Sequence, residues 1–243
     1  MVESGKARGD EGGAEVKEMS PGIKKMPARM ITLGSREEWL EKRQSYIGGS
    51  EASSIVGMNP YMSNVELWEI KTGRRQREDI SHKPYVQYGI KAEEHLRALF
   101  ELDFPQYAVF YKDNNMWLNP EYPFAHASLD SWLLELKTDR RGILEIKTTN
   151  ILQSMQREKW DHKIPDNYYC QALWYLGVTG FDFLILKAQL RYDYNGEIYH
   201  TTKHYHIERM EVIEDINYLM EKGAEFFGYI ERDECPPLVL PEI

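Results

Sequence analysis

Apolar residues recur along this chain with two periods, helical and alternating, and the places where one gives way to the other mark out its elements. The first 30 residues show neither period, mixing Gly, Glu, Lys and Met around Pro21 and Pro27, and read as a flexible tail ahead of a single domain over 31–243. Ser35 with Glu38 three positions later matches a capping box, which predicts a helix to about Gln44. Gly48-Gly49 then runs into a short helix stopped by Gly57. Ser63 to Lys71 sets Leu67 and Ile70 on one core-facing side, with Trp68 at its margin. Residues 89 to 103 form a stronger helix whose apolar stripe takes in Ile90, Leu96 and Phe100. Glu93 falls within that stripe, and a carboxylate facing a core is costly unless it is paired or bound to metal.

From Tyr107 to about Trp132 the pattern is β-like, with Asn114-Asn115 as a turn and Asn119-Pro120 as a break. Ala127 to Leu134 reads as one strand through Asp130, and Gly142 to Lys147 as the next. A turn over 137–142 would join them as a hairpin and bring Asp130 near Glu145. Successive strand side chains point to opposite faces, so Glu145 and Lys147 share one face and Leu144 and Ile146 the other. On a regular strand His126, Ser128 and Asp130 also share a face, making His126 either a neighbour of the site or a simply packed ring. Ser154 to Lys159 reads as a short helix, and Pro165 opens a longer one with a core stripe at 169, 172, 173 and 176. Tyr168, Gln171 and Tyr175 lie on another face, towards either the site or solvent. Gly177 and Gly180 bracket its exit. Strands Phe181 to Gln189 and Ile198 to Ile207 pair about Asn195-Gly196, and a helix from about Val212 to Ile230 packs through Ile213, Ile216, Leu219, Met220, Phe226 and Phe227. His204 and His206 share a strand face, a weak metal signal without further ligands.

Composition narrows the chemistry. The chain has 243 residues, 42% of them hydrophobic, enough for a substantial core. A net charge of −9 argues against coating nucleic acid nonspecifically, though Lys71 to Arg77 and Arg140-Arg141 concentrate basic residues locally. Two cysteines, Cys170 and Cys235, cannot supply a four-cysteine zinc or iron–sulfur site. No secretory h-region or run of about 18 apolar residues is present, so the expectation is an intracellular, soluble protein.

Two carboxylates, Asp130 and Glu145, would repel unless a cation sat between them, and Mg²⁺ prefers such oxygen ligands while keeping several waters. A neighbouring Lys147 could orient or deprotonate an attacking water, which implies metal-assisted phosphodiester hydrolysis. The plainer alternative is a surface ion pair between Glu145 and Lys147, worth ~0.2–1 kcal/mol. Arg43, Ser50 and the Gly48-Gly49 turn offer an anion site, or an ordinary helix start.

Five motifs stand in a recognisable order: Arg43 before Ile47-Gly48-Gly49-Ser50, Gly89-x-x-x-Glu93, Ser128-Leu129-Asp130, Leu144-Glu145-Ile146-Lys147, and Tyr168-Tyr169-Cys170-Gln171. In these the chain, from about Trp39 to Met210, resembles the YqaJ-type viral recombinase family, the phage lambda exonuclease-like branch of the PD-(D/E)XK nucleases. The resemblance implies an α/β (α+β) fold, a mixed central β-sheet flanked by helices with a restriction-endonuclease-like core. It implies that Asp130, Glu145 and the Ile146 carbonyl hold Mg²⁺, with Mn²⁺ able to substitute, that Lys147 positions water, and that Glu93 and Gln171 complete the site. Arg43, Ser50 and Ser128 correspond to a 5′-phosphate pocket. The implied partners are double-stranded DNA ends, a single-strand annealing protein and two further copies in a homotrimer. Leu129 and Ser131 stand where the family usually has proline and glycine, Leu173 where relatives often have a second glutamine, and Gly48 where some have a hydroxyl residue. The expected activity is a Mg²⁺-dependent DNA exonuclease acting at duplex ends, 5′ to 3′, in phage-type recombination. The alternatives are an endonuclease of the same fold and a noncatalytic end-binding module; an iron–sulfur nuclease of CRISPR adaptation shares parts of the pattern, but the cysteine count opposes it.

Overall fold

The computed structural model describes residues 28–152 and 154–240. The first 27 positions of the expected tail lie outside these. Arg29 and Met30, placed at its end, belong instead to strand β1 (Arg29–Thr32). Helix α1 (Arg36–Gln44) starts where the capping pattern put it: Ser35 Oγ accepts from Glu38 N at 3.2 Å. The reciprocal half of the box is shifted by one residue, since the Glu38 carboxylate accepts from Gly34 N at 2.8 Å. A two-residue strand β2 (Ile47–Gly48) leads directly into α2 (Gly49–Ile55), and α3 (Asn64–Lys71) carries a complete box between Ser63 and Glu66. Leu67 is buried as expected, and so is Trp68, which the periodicity placed at the margin.

Helix α4 (Pro84–Asp103) begins five residues before the expected start, with Pro84 as its first helical residue, where a fixed φ and a missing N–H cost nothing. Leu96 and Phe100 are buried, but Ile90 is 62% exposed. The helix passes close to the sheet at Gly89, where an added Cβ would lie 3.1 Å from Thr148 Oγ1; Ile90 turns away into a cavity.

The remaining elements are β3 (Tyr107–Phe110), β4 (Asn115–Leu118), β5 (Ala125–Ala127), β6 (Ser131–Glu135), β7 (Arg141–Ile151), α5 (Ser154–Glu158), α6 (Asp166–Thr179), β8 (Phe183–Tyr194), β9 (Glu197–Glu208) and α7 (Ile213–Glu231). They form a mixed five-stranded sheet in the order β3-β6-β7-β8-β9, in which only β7 and β8 run parallel. Leu96 and Phe100 of α4 pack on one face against Leu133, Leu144, Ile146, Phe183 and Ile185. Residues of α6 and α7, among them Leu173, Trp174, Ile216 and Leu219, share the core of the other face with Ile143, Leu184, Leu186 and Ala188. Asn195 and Gly196, both at positive φ, make the β8–β9 turn. Gly180 at φ 68° ends α6. Gly177, expected at that exit, lies inside the helix, where a Cβ would stand 2.9 Å from Met220 Sδ. Among the described residues no helix is long and apolar enough to cross a membrane.

The expected continuous strand from Ala127 to Leu134 is broken. β5 belongs to a second, four-stranded sheet (β1-β4-β5-β2), β6 to the larger one, and the chain crosses between them at Ser128–Asp130. Asn115 makes the crossing affordable in hydrogen bonds. Its Nδ2 donates to Leu129 O at 2.8 Å and its Oδ1 accepts from Leu129 N at 2.9 Å, so one side chain takes the place of a strand neighbour. The Ser128 hydroxyl donates to Asn115 O at 2.8 Å. Asn114, at φ 50°, forms the turn before it. Asn115→Ala leaves both backbone groups of Leu129 without these partners and is expected to destabilise the fold by about 2–4 kcal/mol in urea unfolding. A loss under ~1 kcal/mol would show that the crossing does not depend on it.

Candidate active site

The β6–β7 hairpin forms as the alternation predicts, with Ser131 opposite Leu144. Because β6 starts at Ser131, β7 has no strand partner on that flank beyond Leu144. The Asp130 carboxylate fills the gap, Oδ2 accepting from Ile146 N at 2.8 Å. An extended residue presents its N–H and C=O to the same flank, so the Ile146 carbonyl opens towards Asp130 as well. On the face shared with Ile143, Glu145 is 2% exposed. Its Oε1 accepts from Lys147 Nζ at 2.6 Å and from Gln171 Nε2 at 2.9 Å, while Oε2 is buried without a partner. Gln171 also donates to Tyr175 Oη at 3.0 Å, and the Lys147 ammonium lies 5.0 Å from the Tyr168 ring centre. The Tyr168–Gln171–Tyr175 face of α6 therefore looks at the site rather than at solvent. Glu93 reaches it from α4, 3.5 Å from Arg97 Nη1, and the same nitrogen donates to Asp130 O at 3.0 Å.

Three carboxyl groups here share Lys147 and Arg97. Burial, then the Asp130 charge, pushes Glu145 up to about 8. The same two causes push Glu93 up to about 7. Asp130 is raised by burial against the pull of Lys147. Lys147 is held in its charged form, burial opposing and Glu145 and Asp130 outweighing it. Raised acids and an unpartnered carboxylate oxygen describe a site short of positive charge, and Asp130, Glu145 and the Ile146 carbonyl are hard oxygen donors of the kind a small divalent cation takes. Among the described residues no group of three or more His, Cys, Asp or Glu side chains is drawn together to hold a metal; Glu93, expected as a further ligand, pairs with Arg97.

Arg43, Ser50 and Ser128, the residues expected to hold an anion, lie alongside with His126 in the wall of a cavity of about 420 Å³ that Glu93 and Asp130 also reach. Arg43 Nη2 donates to Ser50 Oγ at 3.3 Å. Ser128 is tied down: its oxygen accepts from Trp39 Nε1 at 3.1 Å while its proton goes to Asn115 O. The Gly48-Gly49 pair gives close approach rather than a special turn, for a Cβ at Gly48 would lie 2.6 Å from His126 Nε2 and one at Gly49 2.4 Å from Tyr175 Cε1. His126 and Asp130 do not share a regular strand face, because β5 ends at Ala127.

The sequence reading missed Glu51. It is 1% exposed, with Lys71 Nζ at 2.9 Å, Arg43 at 3.7 Å, Arg77 in contact, and Gly48 N donating at 2.9 Å. Burial alone would raise its pKa, but these three cations and the amide bring it down to about 2. Its three-residue spacing from Gly48 is that of the acidic half of a capping box, and the basic run Lys71 to Arg77 supplies two of its partners; together those signals could have found it. Three cations on one carboxylate leave surplus positive charge behind the cavity wall. His204 and His206 serve packing: His206 stacks on Phe183 and pairs with Glu208, and His204 lies edge-on to Phe104.

The family model of the YqaJ-like viral recombinase domain matches residues 38–182, more than half the chain. An uncharacterized protein YqaJ of Bacillus subtilis (strain 168) is 33% identical over 149 residues, 61% of this chain; the chain spans 44% of that relative's length. In fold, the chain is similar to an alkaline exonuclease from Laribacter hongkongensis, with a TM-score of 0.57 at 19% identity over 81% of this chain and 95% of that one. A phage-related exonuclease from Haemophilus somnus 129PT gives a TM-score of 0.51 at 14% identity over 77% of this chain and 96% of that one. The motif order, the mixed sheet and the family match agree: the chain belongs to the YqaJ-like viral recombinase family.

Proposed function

We propose that this protein is a metal-dependent exonuclease that hydrolyses DNA from duplex ends, 5′ to 3′, in recombination. The observation that carries the reading is the buried Glu145 carboxylate, with one oxygen held by Lys147 and Gln171 and the other unpartnered beside Asp130. Asp130, Glu145 and the Ile146 carbonyl would hold Mg²⁺ or Mn²⁺. Bound there, such an ion lowers the pKa of its water and offsets charge on the phosphate. Lys147, fixed by Glu145 and charged, orients the attacking water. Gln171 and Tyr175 hold Glu145 in place from α6, and Glu93 accepts hydrogen bonds from waters on the cavity side. Arg43 and Ser50, with Ser128 behind them, receive the terminal 5′ phosphate, as the surplus cations around Glu51 favour. The two structural relatives, an alkaline exonuclease and a phage-related exonuclease, support the same reading. Assembly in threes around the duplex and a single-strand annealing partner belong to it too; a solution mass of one chain at working concentration would remove the ring.

Glu145→Gln, Asp130→Asn and Lys147→Ala are each expected to lower hydrolysis of linear duplex by at least about 100-fold while unfolding cooperatively; wild-type rates from Glu145→Gln would refute the site. Closed circular duplex should survive where end-labelled linear duplex is digested, and equal cutting of both would make the protein an endonuclease. Without divalent metal, stability depends on pH. Glu145 and Glu93 keep protons in the folded state that they lose when unfolded, so stability should fall as pH rises from about 4.5 through 7 to 8. Glu145→Gln should flatten that fall, and Mg²⁺ should reverse it. A wild-type melting temperature that rises over this range in EDTA would contradict the raised carboxyl pKa values of the site.

A further inference from the structure

We infer that His126 is a neutral hydrogen-bond donor at the floor of the end-binding cavity and reads the terminal phosphate together with Arg43. This rests on the reading of that cavity as the place where the 5′ phosphate sits. His126 is 3% exposed, and neither ring nitrogen has a partner. Buried polar groups are almost always satisfied, so two vacant nitrogens in a cavity wall call for a ligand or an ordered solvent molecule. The other buried polar side chains of the wall each have a partner. Trp39 Nε1 donates to Ser128 and Asn115, the Asn115 amide is spent on Leu129 and Lys112, and Tyr175 Oη accepts from Gln171. The Ser128 proton is spent as well. Among the buried polar wall residues described, only His126 has side-chain nitrogen or oxygen atoms with no hydrogen-bond partner at all.

The ring is built into place rather than left over. Gly48 has no side chain where Nε2 stands, since a Cβ there would come within 2.6 Å of it, and Trp39 and Tyr46 meet the ring edge-on at centroid distances of 6.3 Å each. Burial, then the nearby Arg43 charge, lowers its pKa to about 3, so the ring is neutral and offers one N–H. A phosphate oxygen is the acceptor that suits it: Arg43 and Ser50 stand in the same wall, and the cluster around Glu51 adds positive potential. A neutral donor adds a directional hydrogen bond without adding to a crowd of like charges.

The test compares cleavage of 5′-phosphorylated and 5′-hydroxyl linear duplexes by the full chain in its wild-type, His126→Phe, His126→Gln and Arg43→Gln forms. His126→Phe keeps a ring of similar size and removes both nitrogens; it should lower the phosphoryl-to-hydroxyl rate ratio about tenfold. His126→Gln restores an N–H donor and should recover most of the ratio, which a purely structural role would not predict. An unchanged ratio in His126→Phe, including equal loss on both substrates, overturns the proposal. If that variant does not fold, the wild-type imidazole resonances in EDTA decide. A His126 shift with the phosphorylated duplex only supports the role, and no shift, or the same shift with both, overturns it. The underlying readings fail separately. No wild-type preference, or no effect of Arg43→Gln on the ratio, removes the end pocket and His126 with it, while loss of cleavage in Glu145→Gln keeps the hydrolytic site.

Discussion

The site depends on one constraint: the chain leaves the small sheet at Ala127 and joins the large one at Ser131. A strand running straight through would have carried the ladder past Leu144 and satisfied β7 along its whole flank. Because it does not, Ile146 N is bonded by a side chain, Asp130, instead of a backbone carbonyl. That places a carboxylate in the gap beside the central strand β7, next to Ile146, whose preceding residue Glu145 is buried against α6. Asn115 holds the crossing by bonding both backbone groups of Leu129, so a polar side chain of the cavity wall helps to set the position of the neighbouring Asp130.

Electrostatics divide the cavity into two halves of opposite sign. On one side three carboxyl groups, Asp130, Glu145 and Glu93, crowd around Lys147 and Arg97; burial raises the pKa of all three, the Asp130 charge adds to it for Glu145 and Glu93, and such a group suits a cation. On the other, Glu51 is surrounded by more positive charge than it needs, which keeps it ionised and calls for an anion. The substrate proposed above, a strand end with a terminal phosphate and a scissile phosphodiester, would meet both demands. The overall charge of −9 therefore says little about the site, where the local field decides what binds.

Much of this was legible in the residues. The Glu145–Lys147 face, the hairpin that brings Asp130 beside it, the cap at Ser35 and the Asn195-Gly196 turn all follow from local periodicity and turn chemistry. The motif order identified the family and drew Glu93, Gln171, Arg43 and Ser50 into one picture. Glu51 and Asn115 escaped because their partners are distant in sequence: Glu51 meets Lys71 and Arg77, and Asn115 meets Leu129. Ile90 was misplaced because periodicity gives a helix a face but not the point at which that face leaves the sheet.

Alternation and spacing along the chain determined which side chains share a strand or helix face, since these depend only on the geometry of each element. Tertiary structure alone decided which face meets which. It turned the Gln171 face inward, broke the strand before Asp130, left Oε2 of Glu145 and both nitrogens of His126 without partners, and gathered three cations on Glu51. Burial and pairing are properties of contacts between elements, and a sequence written in one dimension does not contain those contacts.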